Sequence, residues 1–565
     1  MAGLLTPTAI WKNFSLDKNV SGIVLKEETL NEYTLSHLKI AGREIDGERV
    51  DIYAKLVRLT RTKHAPVIII ATDAYNFEND ALTFKLAKKG FICLTVDYAG
   101  EVEGREYFTR YPEKISYANV NNVDLNTFEI KDDYINSNWF EWDCVIKSAF
   151  YYALKQTYTN GVGFLGVNDG ATVIMHVIAT EEENVGCATL VGGSGWQAYK
   201  GIDKYGDTPE PHFNDDTLKY IASVESESYS KWVKCPLLML VPTNSNKYDS
   251  DRAYDTVSRI DESVYTAFNL SILKRDSIDY QSYLNAETFL SKFLLPKNSK
   301  TVLPGETQVK AELLDKEIVI SVMPDTENLK DVELYVSEEV CVSSDRSFKK
   351  RSTLIKKGGG AYYFSYKPYG KSKRVFFFAK AIYKNKFSVC SPIGVIKFEE
   401  SDVVFKNKSV ILYSSRIEDS ETAFAPLIEN VSGAYGFSLD EEDVVEVLEC
   451  KEETFGVSCK NGLITFRVSA SKYKPKEDAI LMFDVYAKEM ATLRVSLTSK
   501  TPNGNITYSA SVKLIGEVWQ NVKLYKNSFK TKEGAPIKEF SSLVSLSFDT
   551  EDGKNEFLIN NALWV

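Results

Sequence analysis

The stretch of this chain whose residue types and spacing best suit chemistry is GFLGVNDGATV, Gly163 to Val173. An apolar strand, a turn framed by Gly166 and Gly170 and a following helix form the arrangement that displays a nucleophilic serine. Asn168 stands at the tip instead, and its amide has no acidic proton to lose and is a poor nucleophile near neutral pH. Moving the tip to Asp169 supplies a carboxylate nucleophile, but Val167 then becomes the first flanking residue and is not small. Either nucleophile needs a base, and the chain has four histidines, His37, His64, His176 and His212. His176, beside Val173 and Val177, reads as a packing or helix-surface residue. His212, in DTPEPHFNDD, reads as a loop residue that could overhang a pocket.

A ligand above this turn is expected to meet Asp73 and Ala74, which follow the strand PVIII, and Ser194 and Trp196 in the turn VGGSGW. A carboxylate at Asp73 opposes a developing oxyanion; the alternative is that it caps the next helix or bonds the turn backbone. VGGSGW lacks the spacing and the lysine of a phosphate loop, so it reads as a strand-end turn lining the pocket. The eight cysteines form no CxxC pair and lie mostly in apolar runs. They read as reduced core residues of a cytoplasmic protein, with no metal site and no cofactor expected.

These residues need a scaffold, and the first half of the chain alternates strand-like and helix-like segments. APVIIIATD, FICLTVDYAG, GVGFLGV, VGCATLVGGSG and CPLLMLVPT are apolar runs of strand length. ALTFKLAKKG, WFEWDCVIKSAFYYALKQ, GATVIMHVIATEEE and LNAETFLSKFLL are helical between them, which predicts a mostly parallel sheet covered on both faces. After Pro296 the helical period disappears. KEIVISVM, DVELYVSEE, AYYFSYKPYG and RVFFFAKAIY predict an Ig-like β-sandwich, with KKGGGAYY as a hairpin turn. GLITFRVSAS, AILMFDVYAK, ATLRVSLTSK, NITYSASVKL and EFLINNALWV predict a second all-β unit of jelly-roll size. The expected domains are 1–298, 299–400 and 401–565.

With 44% hydrophobic and 26% charged residues, the composition is that of an ordinary globular chain, and 565 residues exceed one core. The net charge of -10 excludes nucleic acid and anionic membrane as expected partners. The N-terminus lacks a basic n-region, and no apolar run is long enough to span a bilayer.

GFICLTVDYAG, YFTRYPEKISYANVNN, NWFEWDCVIKSAFYYAL and GVGFLGVNDGATV together resemble the α/β-hydrolase superfamily, in particular its dienelactone-hydrolase and acetyl-xylan-esterase-like branches. The resemblance covers about the first 300 residues and implies the catalytic order nucleophile, acid, histidine. The nucleophile position falls on Asn168. The acid falls in the loop holding Asn246, Asp249 and Asp251. The histidine position falls in LKRDSIDYQSYL, where Asp276 and Asp279 stand and no histidine does. GEVWQNVKLYKNSF and FLINNALWV resemble jelly-roll carbohydrate-binding modules, which makes Trp519, Tyr525 and Tyr508 candidates for stacking on sugar, with core packing favoured for Trp519. The leading expectation is a non-catalytic protein that binds a glycan or small ester-like molecule or acts as a scaffold. The alternatives are a hydrolase of carbohydrate esters with a displaced site using Asp169 or His212, and a purely structural component of a homo-oligomer.

Overall fold

The computed structural model describes the chain apart from residues 1–5, 13, 78–79, 103, 182, 210, 276, 352–353, 369–371, 406–409, 416–422, 428–443, 451–453 and 503. Its largest element is a nine-stranded sheet built from β1 (Gly22–Leu30), β2 (Tyr33–Ile45), β3 (Glu48–Leu59), β4 (Ala65–Ala71), β5 (Ile92–Val96), β6 (Thr159–Val167), β7 (Val185–Val191), β8 (Leu237–Pro242) and β9 (Thr266–Ser271). The spatial order is β1-β2-β3-β5-β4-β6-β7-β8-β9. Strands β4 to β9 run parallel to one another, and β1, β2 and β3 join antiparallel beside β5. The antiparallel strands over 22–59 mix charged and apolar residues and carry no continuous apolar run to announce them.

The described helices are α1 (Pro7–Lys12), α2 (Asp80–Lys89), α3 (Asn138–Lys155), α4 (Asp169–Thr180), α5 (Asp215–Ser223), α6 (Ser226–Tyr229), α7 (Ser250–Val257) and α8 (Tyr280–Leu294). The period of two in β4 sorts its side chains between two cores. Val67, Ile69 and Ala71 join α3 and α4 on one face, and Ile68 and Ile70 join α2 and α8 on the other. Burial on both faces explains why β4 reads APVIIIA without polar alternation. Because β5 lies on one side of β4 and β6 on the other, the chain reverses direction across the sheet between β4 and β6. The crevice at the carboxyl ends of those strands is where such sheets place ligands.

Beyond α8 every described strand pairing is antiparallel. Residues 308–397 form two sheets whose facing side chains, Ile318, Ile320, Leu334, Phe364, Val375 and Phe377 among them, share one core. Gly359 and Gly360, both at positive φ, make the two-residue turn between Leu354–Gly358 and Ala361–Tyr366. A second pair of sheets packs around Leu481, Phe483, Leu493, Leu546 and Phe548. There GLITFRVSAS is shorter as a strand than its apolar pattern predicts: Leu463–Thr465 is extended, and Arg467–Ser469 turns into a 3-10 helix. The buried Arg467 explains the break, since its Nη1 donates to the Leu412 carbonyl at 2.6 Å, a bond a regular outward-facing strand residue does not make.

The units pack closely on one another. Ala381, Tyr383, Phe387 and Val389 enter the α8 core, and Phe348, Phe376 and Phe378 enter the core of α3 and α4. Arg346 reaches Asp251 of α7 through two hydrogen bonds of 2.6 and 2.9 Å, with both side chains buried. Among the described residues no helix is long and apolar enough to cross a membrane.

Candidate functional site

Asn168 occupies the turn between β6 and α4 with φ 53° and ψ -116°. A non-glycine residue held there costs about 1–3 kcal/mol and persists only where its surroundings over-determine it. Two glycines make this turn feasible. A Cβ at Gly166 would lie 2.5 Å from the Ala171 Cα, and one at Gly170 would lie 2.2 Å from the Ala71 carbonyl oxygen. The Asn168 N–H donates to the Val191 carbonyl at 2.8 Å, and the Asn168 carbonyl accepts the first helical bond of α4. This is the backbone of a nucleophile elbow carrying an amide.

The Asn168 side chain is turned toward the end of β4, where Nδ2 donates to Asp73 Oδ2 at 3.3 Å. Asp73 Oδ1 accepts from the Tyr75 N–H, and Ala74 is buried beside it. Asp169 is buried and points back beneath the turn, where its Oδ1 pairs with Lys247 Nζ at 2.6 Å; the same ammonium lies 3.7 Å from Asp73. Burial raises the Asp169 carboxyl above its usual range, with Lys247 opposing and Asp73 reinforcing the shift. Burial lowers the Lys247 ammonium, but Asp169 and Asp73 outweigh it and hold the group above its usual value. Lys247 thus fills the elbow with a fixed cation and ties down both carboxylates.

None of the four histidines hydrogen-bonds Asn168 or Asp169 among the described residues. His37 faces the Tyr53 hydroxyl, and His64 faces the Thr157 carbonyl. His212 is exposed, on the loop before α5. His176 is fully buried, which selects the packing alternative over the helix surface. Its Nδ1 lies 2.9 Å from Asp143 Oδ1, its Nε2 donates to the Val224 carbonyl at 2.7 Å, and its ring stacks on Tyr229 at 4.1 Å. This pairing joins α3 to α4, two turns along α4 from the elbow. Asp279, at the degenerate histidine position, caps α8 by accepting from the Ser282 N–H at 2.7 Å and is no part of the elbow. Asp276 lies outside the described residues.

Asp249 caps α7, accepting from the Asp251 N–H at 3.0 Å, and burial pushes its carboxyl up to about 6. It lines a cavity of about 530 Å³, together with Trp196, Tyr199, Asp203, Lys247, residues 341–345 and Lys500. Asp73, Ala74, Asn168, Asp169 and Ser194 are not on its walls, so only Trp196 and Asp249 of the expected lining meet here. Ser194 is fully buried, and its carbonyl accepts from Thr256 Oγ1. Lys247 and Tyr248 are on the wall of this cavity, and the Lys247 ammonium turns from it to Asp169 at the elbow.

A carboxylate pair that sequence spacing did not reveal braces the wall of this cavity. Glu225 and Glu227 are both buried. Glu225 Oε1 accepts from the Ala198 N–H at 2.8 Å and Glu227 Oε2 from the Trp196 N–H at 3.2 Å, while Glu227 Oε1 has no hydrogen-bond partner among the described residues. A Cβ at Gly195 would lie 1.9 Å from Glu227 Oε2, so VGGSGW is glycine there to admit the carboxylate. Burial raises both carboxyls, that of Glu225 to about 7 and that of Glu227 well above its usual value, with the charge of Glu225 adding to the effect on Glu227. In sequence, VESESYS looks like a solvated polar segment; only its burial makes it chemically distinctive.

On the last pair of sheets, Trp519 is half-buried and outside the core, against the packing expectation. Its ring lies 5.8 Å from that of Tyr486, and Gly456 leaves room for its edge. Trp519 and Phe455 line a groove of about 500 Å³ with Asp484, Gln520, Asn521, Asn560 and Asn561. Asp484 is held by amides of Asn521 at 2.9 Å and Asn561 at 2.8 Å. Tyr525 is exposed beside the short turn it caps, and Tyr508 packs against the core on the other sheet, so neither joins Trp519 in the groove.

No protein-family model matches this sequence, and no curated protein matches it. Among solved structures, acetyl xylan esterase 1 from Thermoanaerobacterium sp. JW/SL YS485 is 13% identical, with 46% of this chain and 83% of that chain covered at a TM-score of 0.34. An acetyl xylan esterase from Paenibacillus sp. R4 is 10% identical, with coverages of 48% and 86% and a TM-score of 0.34. A putative dienelactone hydrolase from Klebsiella pneumoniae is 10% identical, with coverages of 43% and 88% and a TM-score of 0.28. The strand order and the β6–α4 elbow themselves make the first part of the chain an α/β-hydrolase-like fold.

Proposed function

We propose that this protein binds a carbohydrate and does not hydrolyse esters at the elbow. The observation that carries the reading is the Asn168–Asp73–Lys247–Asp169 cluster, which closes the nucleophile position without a hydroxyl or a histidine. The displaced-site alternative loses support, because Asp169 is held by Lys247 and His212 is exposed on a separate loop. The carbohydrate class is supported by the Trp519 groove, where an aromatic face stands beside a fringe of amides and a carboxylate, the groups that suit a ring of hydroxyls. On this reading residues 1–298 are the hydrolase-like unit, 299–400 an Ig-like sandwich and 401–565 a jelly roll carrying the sugar site. Eight free cysteines, all but Cys341 buried, support a reducing compartment such as the cytoplasm.

The test pairs two assays. Activated acetyl esters should not turn over above background, and Asn168→Ser should not restore turnover, because no base is placed to activate the new hydroxyl. A glycan array should give a hit that Trp519→Ala removes. Ester turnover abolished by Asp169→Asn would return the protein to the hydrolases. An empty array, together with a defined oligomer in sedimentation, would favour the purely structural reading.

A further inference from the structure

The cavity beside Asp249 has walls from three separate parts of the chain: the turns after β7 and β8, residues 341–345, and the hairpin around 500–505. Cavities at such junctions are common ligand sites. Its charges are mostly spent. Lys247 is paired with Asp169, Lys500 lies 3.2 Å from Asp345, Asp251 holds Arg346, and Asp249 caps α7, accepts from the Ser343 hydroxyl and faces Arg252 at 3.5 Å. Lys200 is exposed to solvent. Asp203 is the exception. It is half-buried on the wall, and its carboxylate makes no hydrogen bond or ion pair among the described residues.

The Asp203 backbone carbonyl accepts from the Gly206 N–H at 3.1 Å, which fixes the turn that carries the side chain. Burial raises its carboxyl above the usual range, with Lys500 and Arg346 opposing and Asp251 and Asp345 reinforcing the shift. A partly buried carboxylate without a partner is costly, and a bound cation removes the cost. An anion finds both inner lysines already engaged, and a neutral ligand leaves Asp203 uncompensated. Arg252 and Arg259 already lie over the rings of Tyr199 and Trp196 at 5.0 and 4.8 Å, so those rings serve as walls for a carbon frame and not as seats for charge.

We propose that this cavity binds a small ammonium-bearing molecule, with Asp203 as its counter-ion and the Trp196–Tyr199 wall against its carbon frame. The volume of about 530 Å³ admits a ligand the size of an amino sugar or a short diamine. The site is separate from the Trp519 groove and stands or falls independently of it.

Calorimetric titration of the full chain with glucosamine, putrescine, glucose and N-acetylglucosamine tests the proposal. At least one of the two amines should bind, and in the Trp519→Ala variant, which lacks the sugar groove, the two neutral sugars should not; which amine binds distinguishes an amino sugar from an alkylamine. Asp203→Asn should weaken amine binding by about tenfold or more, with the thermal melt unchanged as a check on folding. Asn505→Trp, on the hairpin that borders the cavity, should block it, while Trp519→Ala should leave it intact. Failure of both amines to bind, equal binding of the neutral sugars by the Trp519→Ala variant, amine binding that survives Asp203→Asn, or its loss in Trp519→Ala would each overturn the assignment.

Discussion

Replacing Glu225 with glutamine should stabilise the protein at alkaline pH and do little at pH 5. Glu225 and Glu227 face the same three-residue turn, Trp196 to Ala198, and both are cut off from water. Two carboxylates sharing a buried site cannot both ionise cheaply, so the fold favours the protonated pair. A carboxyl raised in the fold contributes stability that is fully present below its unfolded value and is lost as pH rises through its folded value. For Glu225 that window runs from 4.5 to about 7, and at about 1.4 kcal/mol per pH unit the loss is about 3 kcal/mol. Removing the Glu225 charge also relieves Glu227, whose carboxyl that charge helps to raise. A glutamine at position 225 keeps an acceptor for the Ala198 N–H. Urea unfolding followed by tryptophan fluorescence at pH 5, 7 and 8.5 should show Glu225→Gln matching the parent at pH 5 and exceeding it by about 1–3 kcal/mol at pH 8.5. Asp97 and Asp249, also raised by burial to about 6, contribute equally to both proteins and cancel in the difference. A difference independent of pH would refute the reasoning that burial raises this carboxyl.

Two further perturbations test buried pairs elsewhere. His176→Ala leaves Asp143 in the core with only the Tyr134 hydroxyl at 2.6 Å as a close partner, and should cost about 3–5 kcal/mol by urea unfolding; a loss under about 1 kcal/mol would mean the pair is not closed as described. Arg346→Leu strands Asp251 at the start of α7 between two units, and should cost a similar about 3–5 kcal/mol. Limited proteolysis should then cut between residues 298 and 308 faster than in the parent, and an unchanged cleavage rate would show that the apolar contacts alone hold the units together.

What the sequence determined by itself is local. The apolar runs of β4, β5, β6, β7 and β8 could only be buried strands, and Gly166 and Gly170 around Asn168 specified the elbow, because each depends on neighbours a few residues away. The loss of the serine and of a histidine after β9 was equally plain, since composition alone excludes a group that is absent. Tertiary structure decided what the remaining groups do. Lys247 carries no signal in the sequence; the fold brings it to Asp169 and Asp73, 78 and 174 positions earlier. Glu225 and Glu227 become buried acceptors only because α6 and the residue before it meet the glycine turn after β7. His176 met Asp143 across two helices. Trp519 belonged to a groove and not to a core because Gly456, on another strand, left space for it. In each case charge, protonation or exposure is a property of the surroundings, and those surroundings come from residues far apart along the chain.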